Sequence, residues 1–345
     1  MRYLSASAQH AGAREYQQDS FGLAGGFAGM SDPEFLRHAG CLTVLCDGMG
    51  GMAHGDIASK IAVQATLEAY ARKTPEESIP DALERAVHEA NRQVIEEAER
   101  LGAAEGVGTT LVAAVLHQDH QALERVVESD VPDHQSLYFI SVGDSGLFLF
   151  SGGQLQVVNQ PHVYANVLDR AVANGVISQD QADQHPERES LTSFVGIQTL
   201  QEIDRNTEPW PVRTGDTILL ASDGMFKTLE PHEIRAALEG DPLLWPQELV
   251  DRVLKKQRPG QDNVTVVSVS VVSATDASLI TDLPAPSVFK RGLVDVAAPE
   301  VPSAALPSTA RPSRFLLVAL LLVLLALAIA GLWYFYSLRG SSRLT

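Results

Sequence analysis

Cysteine is scarce in this chain: among 345 residues only Cys41 and Cys46 carry a thiol. They belong to one apolar run, at positions of opposite parity, so on a strand their side chains leave from opposite faces and cannot bridge. A disulfide scaffold is thereby excluded, and a reducing, cytoplasmic setting is the default. Positive charge is also short, with 26 Lys and Arg against 43 Asp and Glu and a net charge of −17. Nucleic acid and anionic lipid need clustered cations, so a broad electrostatic grip on either is excluded, while divalent cations are well tolerated. The N-terminal stretch "MRYLSASAQHAGAREYQQDS" lacks the apolar core of a signal peptide. What is plentiful is hydrophobic material, 45% of the residues. That rules out disorder throughout and suffices for one domain of ~250 residues or two ordinary ones.

A long hydrophobic run does occur at the other end. "FLLVALLLVLLALAIAGLWYFY", residues 315–336, carries no charge, and at ~1.5 Å per residue it reaches across ~30 Å of hydrocarbon. It reads as one transmembrane helix rather than a buried core helix, with Trp333, Tyr334 and Tyr336 at the far interface. Arg311 and Arg314 flank one end and Arg339 and Arg343 the other, so the charge bias sets no orientation. The missing signal peptide favours a cytoplasmic N-terminal domain. Residues 273–314 alternate Pro, Ala and Ser without periodicity and read as a flexible linker; 337–345 form a short tail. The folded domain is expected over 1–272.

Within that domain, "CLTVLC", "TTLVAAVL", "SLYFISVG", "GLFLF", "QLQVV", "DTILLAS" and "NVTVVSVSVV" are short β-rich runs punctuated by Gly, Asp and Asn. Helical patterns come in pairs, two between the first strands and two before the last, with "YANVLDRAVANGVIS" in the middle. Consecutive strands with paired helices predict an α+β fold of antiparallel sheets covered by helix layers. The polar stretch "HQDHQALERVVESDVPDHQ" is longer than a hairpin needs, and His117 and His120 in it are expected to be solvated rather than metal-bound.

Three apolar runs stop at an aspartate, Asp47 in "VLCDG", Asp144 in "SVGDSG" and Asp223 in "LLASDG", and Asp262 in "QDNVTVV" precedes a strand. Each alone is ordinary turn chemistry. Brought together at one sheet edge, four carboxylates repel one another and call for cations. All-oxygen donors favour Mg²⁺ or Mn²⁺ over Zn²⁺, and two such ions can activate a water for in-line attack on phosphorus, as phosphate-monoester hydrolysis needs. Arg14 in "GAREYQQDS" is either a surface arginine or the group that holds the phosphoryl oxygens.

The ordered set "REYQQDSFG", "LCDGMGG", "GTTLVAAVL", "SVGDSGLFLF", "LTSFVG", "LLASDGMF" and "QDNVTVV" resembles the metal-dependent type 2C protein serine/threonine phosphatases, bacterial members especially. The resemblance implies a four-layer α-β-β-α sandwich of two antiparallel sheets, here followed by the C-terminal transmembrane helix. It implies two Mn²⁺ or Mg²⁺ ions held by Asp47, the Gly48 carbonyl, Asp223 and Asp262. Arg14 falls where phosphate binds, Asp19 supports the water network around the metals, and Asn263 follows Asp262. The stretch from His162 to Gly196 looks like the flap beside such a site. Gln18 replaces the usual glutamate of the first motif. Asp144 looks like a ligand of a third metal, but Gly146 and Lys227 stand where that site carries an arginine and a carboxylate. Met49 replaces the histidine of animal members, which leaves His54 as a candidate general acid. The implied partners are phosphoserine and phosphothreonine proteins, a serine/threonine kinase or its substrates among them, and the membrane through the C-terminal helix, with no nucleic acid. The implied location is the inner membrane, single-pass, with the phosphatase domain cytoplasmic and placed alone or in a larger membrane assembly. The alternative is a catalytically weak pseudo-phosphatase that binds a phosphoprotein or partner.

Overall fold

Every central strand divides its residues between two hydrophobic layers, and that division builds the fold. A computed structural model of the chain describes residues 2–25, 33–49, 54–103, 107–118 and 134–272. The linker, the apolar run at 315–336 and the loop around His120 lie outside the described residues, and among those described no helix is long and apolar enough to cross a membrane. One sheet has the order β1 (Arg2–His10), β12 (Val264–Val272), β11 (Thr217–Ala221), β7 (Gly146–Ser151) and β8 (Gln154–Val157). The other runs β10 (Trp210–Arg213), β6 (His134–Val142), β5 (Leu111–His117), β3 (Cys41–Met49) and β2 (Asp19–Ala24). Two short strands join it, β4 (Gly108–Thr109) on β3 and β9 (Asp204–Arg205) on β6. The strand pairs are antiparallel.

Residue parity shows how the layers form. In β5, Leu111, Ala113 and Val115 face helices α2 (Gly55–Tyr70) and α3 (Ile79–Arg100), while Val112, Ala114 and Leu116 face the second sheet. In β12, Val267, Val269 and Val271 meet that middle layer, and Val264 and Val266 turn toward α7 (Pro231–Ala237) and α8 (Trp245–Lys255). A strand buried on both faces shows no polar alternation, which is why "LVAAVL" and "VTVVSVSVV" read as continuous apolar runs. Cys46 lies in the helix-facing layer and Cys41 in the middle one, both buried and free, as their spacing requires.

The helices follow local signals. Ser78 caps α3 by accepting the Asp81 amide at 3.2 Å, with Pro80 in the first turn. Helix α2 buries Ala58, Ala62, Ala65 and Ala69, small residues that let it lie close to the sheet. Helix α1 (Pro33–Ala39) lies between β2 and β3, and in the middle of the chain come α4 (Tyr164–Ala173) and α5 (Gln179–Asp183), the last opened by a Ser178/Gln181 capping box. A single turn, α6 (Asp223–Phe226), follows β11 directly.

Three expectations are corrected. The strand at "CLTVLC" does not stop at Asp47: β3 continues through Gly48 and Met49, which pair with Thr109 and Gly108. The N-terminal stretch contributes two strands that its weak hydrophobicity hid, β1 along β12 and β2 along β3. His117 is not a solvated loop residue. It ends β5, is buried, and its Nε2 lies 2.9 Å from the Arg37 carbonyl oxygen.

Candidate active site

The acidic positions meet at one end of the layer between the sheets. Asp47 has the parity of Cys41 and Leu45, and Asp19 the parity of Phe21 and Leu23, so both carboxylates enter that layer, directly opposite each other across β2 and β3. Asp144 sits in the crossover from β6 to β7, which belong to different sheets; Asp223 follows β11 and Asp262 precedes β12 at the same end.

Asp47 is fixed through its backbone. Its amide donates to Thr110 Oγ1 at 2.9 Å, and its carbonyl accepts from the Thr110 amide and from Thr109 Oγ1, each at 2.9 Å. Thr110 Oγ1 is in turn 2.7 Å from Ser145 Oγ, next to Asp144. Although Asp47 keeps a small opening to solvent, the surrounding protein strips most water from its carboxylate. That burial, and then the charges of Asp19, Asp223, Asp144 and Asp262, raise its pKa well above the ordinary carboxylate range.

Asp19 is almost fully buried. Its Oδ2 accepts from Ser222 Oγ at 2.8 Å and Thr265 Oγ1 at 2.7 Å. Burial pushes its pKa up to about 6 against these two hydroxyls, which favour the charged form. Its other oxygen, Oδ1, is buried with no hydrogen-bond partner. Two adjacent acceptors, Asp19 and Asp47, with no donor for Oδ1 require a proton or a cation between them. Ser222, Thr265, Thr109 and Thr110 were not foreseen. The available signal was a hydroxyl inside an otherwise apolar run, in "TTLVAAVL", "LLASDG" and "NVTVV".

Glycine is demanded at position 48 by close backbone approach. A Cβ there would lie 2.0 Å from the Gly55 carbonyl oxygen and 2.6 Å from that of Gln18, which itself accepts the Gly48 amide at 3.1 Å. Gly48→Ala is therefore expected to destabilise the fold by about 1–3 kcal/mol or more, because both clashing atoms are main chain. Chemical denaturation checks this, and an unchanged midpoint would contradict the packing. Gln18 lays its side-chain amide against Gly55 at the start of α2. His54 is the residue before α2, and its ring makes no hydrogen bond to a site side chain among the described residues.

Two cations enter the site. Arg14 Nη2 donates to Asp262 Oδ2 at 2.8 Å, both side chains about half exposed. Lys227 Nζ donates to Asp223 Oδ2 at 2.8 Å and Asp144 Oδ2 at 3.0 Å. Burial alone would lower the lysine's pKa, but Asp223 and Asp144 outweigh it and hold the ammonium above the ordinary lysine range. Burial raises Asp144 more than Lys227 lowers it. With these carboxylates turned to Arg14 and Lys227, no three acidic, imidazole or thiol groups among the described residues enclose a single ion.

Asn263 organises the segment that carries Arg14. Only 2% exposed, its Nδ2 donates to the Ala11 carbonyl at 2.9 Å and the Tyr16 carbonyl at 3.0 Å, while its Oδ1 accepts the Gln18 amide at 2.7 Å. The Ala13 amide adds a bond to the Gln261 carbonyl at 2.8 Å. The His162–Gly196 stretch attaches beside Asp144 through His162, which accepts the Gly143 amide at Nδ1 and donates its own amide to the Gly143 carbonyl. It also brings Glu189 to 3.9 Å from Lys227 Nζ.

A family model described as protein phosphatase 2C matches residues 8–245. The serine/threonine phosphatase stp of Listeria welshimeri is 31% identical over 233 residues, covering 66% of this chain and 83% of that protein. PppA of Pseudomonas aeruginosa, described as a key regulatory component of T6SS, is 28% identical with a TM-score of 0.57, the match covering 78% of this chain and 98% of that one. A catalytic domain of the phosphatase PstP, solved with two manganese ions, shares the fold at 24% identity and a TM-score of 0.56, covering 79% of this chain and 99% of its own. The matched span covers more than half of the chain, the sheet from β2 to β10 and four of the five site aspartates, and on that ground the chain belongs to the protein phosphatase 2C family.

Proposed function

We propose that this phosphatase removes phosphate from phosphoserine and phosphothreonine in proteins, with two Mn²⁺ or Mg²⁺ ions held by Asp47, the Gly48 carbonyl, Asp223 and Asp262. The observation that carries this reading is the convergence of Asp19, Asp47, Asp144, Asp223 and Asp262 at one end of the inter-sheet layer, with Arg14 beside Asp262. The donors are all oxygen and crowd negative charge, which suits hard divalent ions, and the orphaned Asp19 Oδ1 is the buried acceptor such a site leaves for metal-ordered water. A divalent pair, when bound, lowers the pKa of water and neutralises charge at phosphorus.

The chain's own residues supply the positioning. Arg14 gives one N–H to Asp262 and keeps the rest of its planar fork for two phosphoryl oxygens. Asp19, steadied by Ser222 and Thr265, orients water beside Asp47. No described contact ties the His54 ring to the site, so the proton for the leaving oxygen is assigned to water. The test is phosphate release from a phosphothreonine peptide by the detergent-purified full chain. It is expected to need Mn²⁺ or Mg²⁺ and to vanish with chelator or in folded Asp223→Asn protein; turnover that ignores the chelator would refute it.

The setting belongs to the same proposal. Residues 315–336 anchor the phosphatase domain to the cytoplasmic face of a cell's inner membrane, and the 273–314 tether raises its effective concentration near membrane-bound phosphoproteins such as a serine/threonine kinase and its substrates. Deleting 315–345 is expected to move the protein from the membrane to the soluble fraction without changing peptide turnover. Similarity to PppA supports a place in a larger membrane assembly as the context for that tether.

A further inference from the structure

The site gathers five aspartates, yet one side of it already contains a cation. Lys227 is four residues after Asp223, one helical turn on, and its amide donates to the Asp223 carbonyl at 2.8 Å. Arg258 Nη1 holds the Lys227 carbonyl at 2.7 Å, so the base of the side chain is fixed from two directions. From there the ammonium reaches both Asp223 Oδ2 and Asp144 Oδ2 and has Glu189 as a more distant third carboxylate. Asp144 is 10% exposed at its side chain and Asp223 19%, against 40% for Lys227, so the two carboxylates are taken largely out of water, where an unpartnered charge is costly, while the lysine reaches them from the rim of the site.

We propose that Lys227 is a resident cation of the active site, pairing Asp144 with Asp223 and excluding a further divalent ion from between them. A divalent ion there would stand within a few ångströms of a fixed positive charge, and an ammonium offers it no lone pair. Asp223 still has Oδ1, which these two ion pairs leave unused, for an ion on the Asp47 side. The consequence is a site limited to two divalent ions, in which Asp144 serves the lysine instead of a metal.

This inference rests on the proposed two-ion phosphatase, so its test counts ions and does not measure turnover. Mn²⁺ bound at saturation by the full chain would be counted from the electron paramagnetic resonance of free Mn²⁺. Two ions are expected in the wild type, three in Lys227→Met, which keeps the length of the side chain and removes its charge, and two in Lys227→Arg. Asp144→Asn, a second and milder variant, is expected to keep two. A wild-type count of three, an unchanged count in Lys227→Met, or a loss of an ion in Asp144→Asn would overturn the inference. A chain that gains its third ion as expected but releases no phosphate would leave this inference standing and remove the phosphatase reading instead.

Discussion

Asp47→Asn is expected to lose at least ~10³-fold in Mn²⁺-dependent phosphatase activity, equivalent to about 4 kcal/mol of transition-state stabilisation, while making the chelated protein more stable. The backbone of the residue is held by Thr109 and Thr110 whatever its side chain carries, so the lost activity would not be lost folding. Stability moves the other way because the Asp47 carboxylate is stripped of water by burial and stands under the charge of four other carboxylates. A carboxylate whose folded pKa exceeds its unfolded value binds its proton more tightly when folded. Its contribution to stability is therefore complete below the unfolded value, ~4, and is lost as pH rises through the folded value. Asp47 is raised well above the ordinary range and Asp19 to about 6, so without metal the site loses stability from pH ~4 upward.

Surface carboxylates held low by arginine, such as Glu77 beside Arg85, gain stability over part of the same range, so the difference between variant and wild type is the measurement that isolates the site. With chelator, the melting temperature of Asp47→Asn should exceed that of the wild type by a margin that grows from pH 4 toward 7. For a domain of this size each kcal/mol of relieved repulsion is worth about 2–4 °C. Saturating Mn²⁺ should reverse the order, because only the wild type then gains binding energy. A chelated variant that melts below the wild type, or one that keeps its turnover, would refute the role given to Asp47.

The extent to which sequence exposed this site follows from how far apart its parts lie. The doubly buried strands are long apolar runs, and the four aspartates at or near their ends could be read from them directly. The partners of those aspartates could not. Asp19 is held by Ser222 and Thr265, which are 203 and 246 residues away along the chain. Lys227 reaches Asp144 across 83 residues and Asn263 reaches Tyr16 across 247. Local pattern carries no information on such pairs; they appear only once β7 pairs with β11, which brings Asp144 to Lys227, and β1 closes against β12, which brings the two ends of the domain together. β1 itself was hidden because "RYLSASAQH" alternates serine with alanine, too small a hydrophobic contrast to register as a strand until Val264, Val266 and their neighbours cover it. At "LCDGMGG" the Asp-Gly pair imitates a turn, whereas the strand goes on because β4 supplies hydrogen-bond partners beyond it.

Asn263→Ala is expected to cost about 2–4 kcal/mol of stability, since it leaves the Tyr16 carbonyl and the Gln18 amide without their partner and the Ala11 carbonyl with the Arg14 amide alone, at a buried position. The larger consequence falls on Arg14. That residue lies between Ala11 and Tyr16, so loosening both anchors frees the guanidinium to wander from Asp262, and a displacement of ~1 Å in a positioning group costs ~10²-fold in rate. A double-mutant cycle separates this from general destabilisation. If Asn263 acts by placing Arg14, then Arg14→Ala should cost far less kcat/KM in the Asn263→Ala background than in the wild type, measured where both proteins are fully folded. Additive losses would mean that Asn263 supports the fold alone. Asn263→Asp is the harsher version: it keeps an acceptor for Gln18 but turns a buried anionic oxygen against the Ala11 and Tyr16 carbonyls and sets a second carboxylate beside Asp262, so it should destabilise the fold at least as much as Asn263→Ala and displace Arg14 from phosphate as well.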